Sequence, residues 1–279
     1  MIWRQETNPA DLLSGGFLLG LILLVLLCRR RLERWARLLG IYLLLLCLQA
    51  AAALGRTVGL VPPLLAAFFP VVPVVAIFTT LGFIPEVNPR DRDLLLSRLD
   101  HKLFRVDPSI WMERFVCPWL TEAMQLAYLA YYVLPFVLLG TLYHRGSQEA
   151  FQLCVTALLL SHYLAFIGYM ALPALGPRFL LASQYREELK GLFLAEPVQD
   201  ILNALEGIKR DAFPSGHTSA ILITVFYVLR FTPEMAFWFV PIAALMILST
   251  IYLRYHYAVD VLAGALLAGL CILLAPLIQ

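Results

Sequence analysis

The fold is decided by the stretch Ala212-Phe213-Pro214-Ser215-Gly216-His217-Thr218-Ser219, which leads into an apolar run at residues 215–231. Proline fixes φ and suits the first turn of a helix, so Pro214 predicts that a helix begins here. The free N–H groups at such a start, near Ser215 and Gly216, form a site for an anion. His217 lies in the first turn beside them. An imidazole at the end of a membrane helix is by default a functional candidate.

A second polar site follows about forty residues later, where His256 and Asp260 precede the last apolar run. Residues four apart share one face of a helix, so the carboxylate is expected to orient the imidazole. Two histidines, one carboxylate and a helix N-terminus are typical of a site that handles phosphate.

The composition is that of a membrane protein. Of the 279 residues 61% are hydrophobic and 14% are charged, whereas a soluble domain is usually about half apolar and a quarter charged. The net charge of +2 does not indicate a nucleic-acid partner. Five scattered cysteines give no metal-binding spacing and are expected to be reduced.

We predict an all-α polytopic bundle of about eight spans, from apolar runs near the roughly 20 residues that cross a bilayer. The runs cover residues 11–28, 38–55, 59–84, 118–142, 150–173, 215–231, 235–253 and 257–277. Several prolines in the third run predict a kinked or broken helix. We expect two N-terminal helices, in residues 1–58, before a six-span catalytic core in residues 59–279.

Two long connections have amphipathic patterns. Segment 86–116 carries an apolar face, comprising Leu95, Leu96, Leu99, Leu103 and Phe104. Segment 174–213 carries another, comprising Val198, Ile201, Leu202, Leu205 and Ile208. Such helices lie in the membrane interface. They either shield the rim of the bundle or line a lateral entry for a lipid substrate.

The arginine-rich connection from Arg29 to Arg37 lies on the same side of the predicted bundle as both histidine motifs. The positive-inside rule makes that side cytoplasmic.

A third element precedes the histidine motifs, at the end of the fifth span: Gly176-Pro177-Arg178. The planar guanidinium of Arg178 matches phosphate oxygens. Lys209, Arg210 and Arg254 are further candidate cations, and Tyr169 is a candidate substrate contact.

Together these three elements resemble the signature of the type-2 phosphatidic acid phosphatase superfamily, over residues 60–277. The second motif matches fully, but Thr250 stands where the third motif usually has Arg, and no Lys precedes Arg178. Those departures look like the branch of inositol-phosphoceramide synthases and their bacterial relatives. The resemblance implies an integral cell-membrane enzyme without metal or cofactor, acting on a lipid phosphate or phospholipid. It also implies a site facing away from the cytoplasm, against the charge argument.

Chemistry and resemblance together give each residue a role. His256 attacks phosphorus and forms a phosphohistidine, and Asp260 bonds the other ring nitrogen. His217 protonates the leaving alcohol and then activates the acceptor. Ser215, the N–H groups near Gly216 and Arg178 stabilise charge on the phosphoryl oxygens.

Two alternatives stay open. The first is a metalloenzyme that uses His217, His256 and Asp260 as a two-His, one-carboxylate site. The second is a non-catalytic transporter or lipid-binding protein, although transporters more often show broken helices in paired halves near the midplane.

Overall fold

The computed structural model describes residues 8–205 and 209–278, and of residues 201–205 it describes the backbone alone. Within this part of the chain every regular element is helical, which confirms the predicted all-α class. The α-helices are α1 Pro9–Cys28, α2 Trp35–Thr57, α3 Pro63–Phe68, α4 Val71–Thr80, α5 Ile84–Val87, α6 Asp93–Phe104, α7 Pro108–Met112, α8 Pro118–Tyr128, α9 Ala130–His144, α10 Gln148–Ala171, α11 Pro177–Leu180, α12 Ala195–Leu205, α13 Gly216–Phe231, α14 Ala236–Tyr252 and α15 Ala258–Ile278.

Six helical segments in the described residues are long and apolar enough to cross a membrane, with α8 and α9 counted as one segment and α14 extended back to Pro233. Two shorter apolar segments, Val71–Val87 and α13, match the other two predicted spans. The chain is therefore a multi-pass membrane protein, with six spans by length and eight apolar segments in all.

The third predicted span is broken, as its prolines indicated. Pro63 begins α3, and the backbone of Pro62 before it is extended. Pro70 separates α3 from α4, and a short 3₁₀ turn at Leu81–Phe83 separates α4 from α5. Because proline lacks an N–H and fixes φ, each one suits a helix start better than a helix interior.

The core forms around α10, which is buried along most of its length and packs against α1, α9, α13 and α15. The N-terminal pair docks on it through Tyr163, whose hydroxyl donates to Ser14 at 2.8 Å and whose ring stacks on Phe17. Arg56 and Asp11 form a buried ion pair that ties α2 to α1. The division of the chain at residue 58 stays a prediction.

Helix α6 is amphipathic, as predicted for segment 86–116. Leu95, Leu99 and Leu103 on it are exposed, while Asp93 and Asp100 on the other face are buried. The apolar side thus points outward, as in a helix lying in the interface.

In the second amphipathic segment, Val198 on α12 packs against a cluster that contains Tyr128. Ile201, Leu202, Leu205 and Ile208 lie outside the residues whose side chains are described.

Candidate active site

The two histidines from distant parts of the chain meet at one end of the bundle. Nδ1 of His217 lies 3.2 Å from Nε2 of His256, and the ring centroids are 5.4 Å apart. His217 stands in the first turn of α13, and His256 lies in the turn between α14 and α15. The start of α13 and the first turn of α15 are joined by a hydrogen bond from the Ser215 N–H to the Asp260 carbonyl, at 3.0 Å.

A glycine allows this close approach of α13 and α15. A Cβ added at Gly264, one turn after Asp260, would overlap the carbonyl oxygen of Ser215. Ordinary side chains at position 264 would therefore push the two catalytic motifs apart.

The orientation of His256 corrects one expectation. Its Nδ1 donates to the Ala212 carbonyl at 2.8 Å, whereas the Asp260 carboxylate lies 3.6 Å from that nitrogen. Asp260 instead accepts the N–H of Tyr257 at 2.8 Å. Tyr257 is the residue just before α15, so Asp260 fills the third-position role of a capping box and its reach toward the ring is limited. The carboxylate is fully buried beside His256, at 3.6 Å from Nδ1 and without a direct hydrogen bond to it.

The start of α13 also differs from expectation. The helix begins at Gly216 with Ser215 as its N-cap, so Pro214 precedes the first turn and does not lie in it. The Ser215 hydroxyl oxygen accepts from the N–H and the hydroxyl of Thr218, at 3.2 and 3.0 Å, and is fully buried. Its first role is that of a helix cap, which leaves less of its hydrogen-bonding capacity for phosphate.

Tyr169 contacts this helix start directly. A Cβ added at Gly216 would come within 2.6 Å of the Tyr169 hydroxyl oxygen. Glycine is thus required at position 216 by the close contact with Tyr169.

Two acidic residues that the sequence analysis did not single out hold the site from α6. Asp100 accepts the N–H groups of Ala258 and Val259, both at 2.8 Å, and so caps α15 from another helix. Burial raises the pKa of Asp100, although those two bonds act in the opposite direction. A carboxylate at a helix N-terminus satisfies N–H groups that have no partner within the helix.

Asp93, seven residues earlier on the same face of α6, holds the loop that carries Arg178. It accepts the N–H groups of Leu175 and Gly176, and the hydroxyl of Tyr257 at 3.0 Å. The i,i+7 spacing of two aspartates was the signal for these residues, because it places both on one helix face.

An apolar cavity of about 380 Å³ is lined in part by His217. Its walls come from α4, α9, α10 and α13, and most of the lining side chains are aliphatic or aromatic. The polar groups that line it include His217, Tyr169, His162 and Asp211, while neither Lys nor Arg is among the described residues of the lining. Among the described residues of the two long connections, only Asp211 lines this cavity.

Comparison with known proteins agrees with this arrangement. The model of the PAP2 superfamily matches residues 94–274. The chain belongs to the PAP2 superfamily. It is 26% identical over 191 residues, or 60% of its length, to a PA-phosphatase related-family protein of Dictyostelium discoideum. The chain covers about a third, 34%, of that relative's own length. No solved structure matches it.

The PAP2 superfamily match includes all three elements that carry the resemblance and begins after α1 and α2. The resemblance to the type-2 phosphatidic acid phosphatases is confirmed at the level of the superfamily. The finer placement in one branch stays a hypothesis.

The candidate cations differ in what already holds them. Arg210 binds Asp91 through two nitrogens, at 2.6 and 3.1 Å. Arg254 contacts Glu113 at 3.3 Å, donates to the carbonyl of Glu187 and stacks over a tyrosine ring. Both guanidinium groups are thereby held in protein contacts, and burial lowers the pKa of Arg254.

Arg178 and Lys209 contact no carboxylate among the described residues. The Arg178 guanidinium lies over the rings of Tyr255 and Phe179, at 4.7 and 5.0 Å, and its buried Nε has no hydrogen-bond partner there. Lys209 is exposed and lies 5.9 Å from the Phe179 ring. Of the four candidate cations, Arg178 is the one with a buried nitrogen that lacks a hydrogen-bond partner among the described residues.

Thr250, which stands in place of the third-motif Arg, is fully buried. Its hydroxyl donates to the Ile247 carbonyl at 2.7 Å, within its own helix. This position supplies no charge to the site.

Proposed function

We propose that this protein is an integral-membrane lipid phosphatase or phosphotransferase that works through a phosphohistidine on His256. The observation that carries the proposal is the approach of Nε2 of His256 to Nδ1 of His217, a residue that also lines an apolar cavity. A nucleophile that faces an acid–base group is the arrangement required for covalent transfer of a phosphoryl group.

The Ala212 carbonyl assigns the nucleophilic atom. A carbonyl only accepts hydrogen bonds, so Nδ1 of His256 carries a proton to it. In the neutral ring Nε2 then holds the lone pair, and it points at His217. The buried Asp260 favours the positive charge that develops on His256 when this lone pair attacks phosphorus.

The reaction proceeds in two halves. In the first, His217 starts protonated on both nitrogens: Nε2 of His256 bonds to phosphorus, the bond from phosphorus to the ester oxygen breaks, and the Nδ1 proton of His217 moves to that oxygen, which leaves His217 neutral. In the second, water or an alcohol attacks phosphorus, its proton moves to Nδ1 of His217, and the phosphorus–nitrogen bond breaks. The rings are at hydrogen-bond distance, so they must separate to admit the phosphoryl group.

Charge on the phosphoryl oxygens is stabilised by Arg178 and by the positive end of α13 at Gly216. Lys209 is the remaining candidate cation, since Arg210 and Arg254 are engaged with acidic partners. The Ser215 hydroxyl contributes chiefly by holding the helix start.

The leaving group is the lipid part of the substrate. His217 donates its proton to the leaving oxygen, and His217 also lines the cavity. A cavity of about 380 Å³ with apolar walls and no Lys or Arg among the lining residues described suits a hydrocarbon chain. The substrate class is therefore a lipid phosphate or phospholipid in a membrane.

Two finer assignments rest on the departures in the motifs. The Thr at position 250 and the lack of a Lys before Arg178 favour the inositol-phosphoceramide synthase-like branch, in which an alcohol replaces water as acceptor. We place the protein in the cell membrane. Cysteines introduced at Ser147 and Ser183, at opposite ends of α10 in the chain, would report which side carries the site through their access to a charged thiol reagent.

The proposal is tested by incubating the purified protein with a panel of labelled lipid phosphates and phospholipids, with and without an alcohol acceptor. We expect release or transfer of phosphate from at least one lipid and its loss in His256→Ala. The matched control is His101→Ala, because that histidine is exposed on α6. Turnover that survives in His256→Ala would contradict the mechanism.

A purely binding or transport role predicts no phosphate release from any lipid. Release or transfer of phosphate in the same assay would exclude it. The metalloenzyme alternative has less support from geometry. Nε2 of His256 faces His217, whereas Asp260 lies at Nδ1 on the other side of the ring. Three groups so placed do not converge on one ion.

A further inference from the structure

We propose that Tyr128 is the positioning residue that sets the orientation of His217. This inference rests on the proposed function, in which His217 serves as acid and then as base. Tyr128 lies at the end of α8, far from the three motifs in sequence, and nothing about its sequence context marks it.

The contact between the two side chains is close and rigid. The Tyr128 hydroxyl lies 2.7 Å from Nε2 of His217, and the ring centroids are 4.9 Å apart. Tyr128 is fully buried, and its ring stacks on Tyr255 at 4.8 Å. The Tyr255 hydroxyl in turn donates to Gln199 at 2.7 Å. A side chain packed on this many sides has one orientation, so its hydroxyl is held at His217.

The direction of each hydrogen bond follows from the Ala212 carbonyl. Since Nδ1 of His256 must donate to that carbonyl, Nε2 of neutral His256 is an acceptor. Nδ1 of His217 therefore carries the proton between the two rings. Neutral His217 then has its lone pair on Nε2, and Tyr128 donates to it. In the resting site the acid proton thus already points at the reaction centre.

A phenol suits this position because its hydroxyl both donates and accepts. His217 enters the cycle protonated on both nitrogens, with the second proton taken from solvent or from the acceptor of the previous turnover, and its Nε2–H then donates to the Tyr128 oxygen. After Nδ1 has given its proton to the leaving oxygen, the ring is neutral with Nε2 still protonated. Its Nδ1 lone pair then faces the site and takes the proton of the acceptor. Tyr128 remains hydrogen-bonded to His217 in every state of the cycle.

This role predicts that the effect of losing the hydroxyl depends on the leaving group. An alkoxide leaving group needs a proton from His217, whereas p-nitrophenolate is stable enough to leave without one. We therefore compare Tyr128→Phe on dodecyl phosphate and on p-nitrophenyl phosphate. We expect kcat on dodecyl phosphate to fall about 10- to 100-fold, the usual cost of losing the partner that orients a histidine. With p-nitrophenyl phosphate the release of p-nitrophenol in the first turnover should match the parent, because that half of the reaction needs no proton from His217.

Two variants frame this comparison. His217→Ala should show the same dependence on leaving group, with a larger loss. Tyr255→Phe removes the hydroxyl from the ring stacked on Tyr128 and should slow neither substrate selectively. The inference is overturned when Tyr128→Phe slows both substrates equally, as a general packing defect would, or slows neither.

A spectroscopic readout separates this inference from the proposed function. The chain has five histidines, so ¹⁵N-histidine labelling gives few ring signals, and His217→Gln identifies those of His217. We expect an unprotonated Nε2 on His217 in the parent at a pH where the ring is neutral, and a changed ¹⁵N shift of that Nε2 in Tyr128→Phe because it loses the hydrogen bond from the phenol. Identical spectra would refute the positioning role. A parent that turns over no phosphate ester would instead refute the proposed function.

Discussion

The capping of α15 by Asp100 gives a sharp test of how the site is held. The Asp100 carboxylate reaches from α6 to two N–H groups at the start of α15, Ala258 and Val259, both at 2.8 Å. Asp100→Ala removes both acceptors and leaves two buried donors. These donors stand two and one residues before Asp260, in the turn that follows His256.

The expected loss of stability follows from opposing effects. Hydrogen bonds to a charged group are worth about 1.5 to 3 kcal/mol each, while loss of a helix cap typically costs about 1 and at most about 2 kcal/mol. Burial raises the pKa of Asp100 despite the two bonds, so desolvation of the carboxylate offsets much of their strength. We therefore expect Asp100→Ala to lower the free energy of unfolding by about 2 kcal/mol.

Thermal unfolding of the purified protein in detergent measures this loss. About 2 kcal/mol corresponds to a fall in Tm of roughly 4 to 8 °C for a chain of this size. Lys102→Ala is the matched control, because Lys102 is exposed on the same helix. Activity should fall with stability in Asp100→Ala, since the helix start that follows His256 is no longer held by α6. A Tm change no larger than that of Lys102→Ala would refute the reasoning.

Three further predictions concern packing, charge and pH. Gly264→Val should abolish activity and lower Tm because its side chain would overlap the Ser215 carbonyl. The control Gly269→Val, on the same helix, meets nothing within 4 Å and should be tolerated. Equal effects of the two substitutions would contradict the argument that α13 and α15 approach closely at Gly264. Arg178→Ala should lower kcat on a lipid phosphate about 100-fold, with partial recovery in Arg178→Lys, as for loss of one group that stabilises an oxyanion; unchanged kinetics would remove Arg178 from the site. Burial raises the folded-state pKa of Asp100 above 3.8. As pH rises from 3.8 through that folded-state pKa, the unfolded chain loses the proton first, so stability falls. Asp100→Asn should flatten this part of a Tm-against-pH curve, and an unaltered slope would count against the burial effect.

Much of the fold followed from local patterns. Apolar runs near the length of a membrane helix predicted the spans, and prolines such as Pro63 and Pro70 predicted the break in the third. These features depend on backbone chemistry within one segment, so a single sequence reveals them. The pairing of His217 with His256 was suggested by two span ends on one predicted side, and the structure brings the rings together.

The partners of those histidines could not be predicted in the same way. The i,i+4 spacing made Asp260 the expected partner of His256, but Asp260 caps its own helix and Ala212 supplies the acceptor. Asp100 and Tyr128 reach the site from other helices, and only the packing of those helices decides which polar group arrives. Contacts of this kind depend on tertiary structure and leave at most a weak trace, such as two aspartates on one helix face.

The central claim is that Nε2 of His256 becomes bonded to phosphorus, and trapping the phosphoenzyme tests it most directly. The purified protein is mixed with a ³²P-labelled lipid phosphate, quenched in base within the first turnover, and digested for mass spectrometry. The account predicts an acid-labile, base-stable phosphoryl group on the peptide that contains His256, absent in His256→Ala and accumulating in His217→Ala with a substrate that has a good leaving group. Label on a different residue, or turnover with no trapped label in any variant, would contradict it.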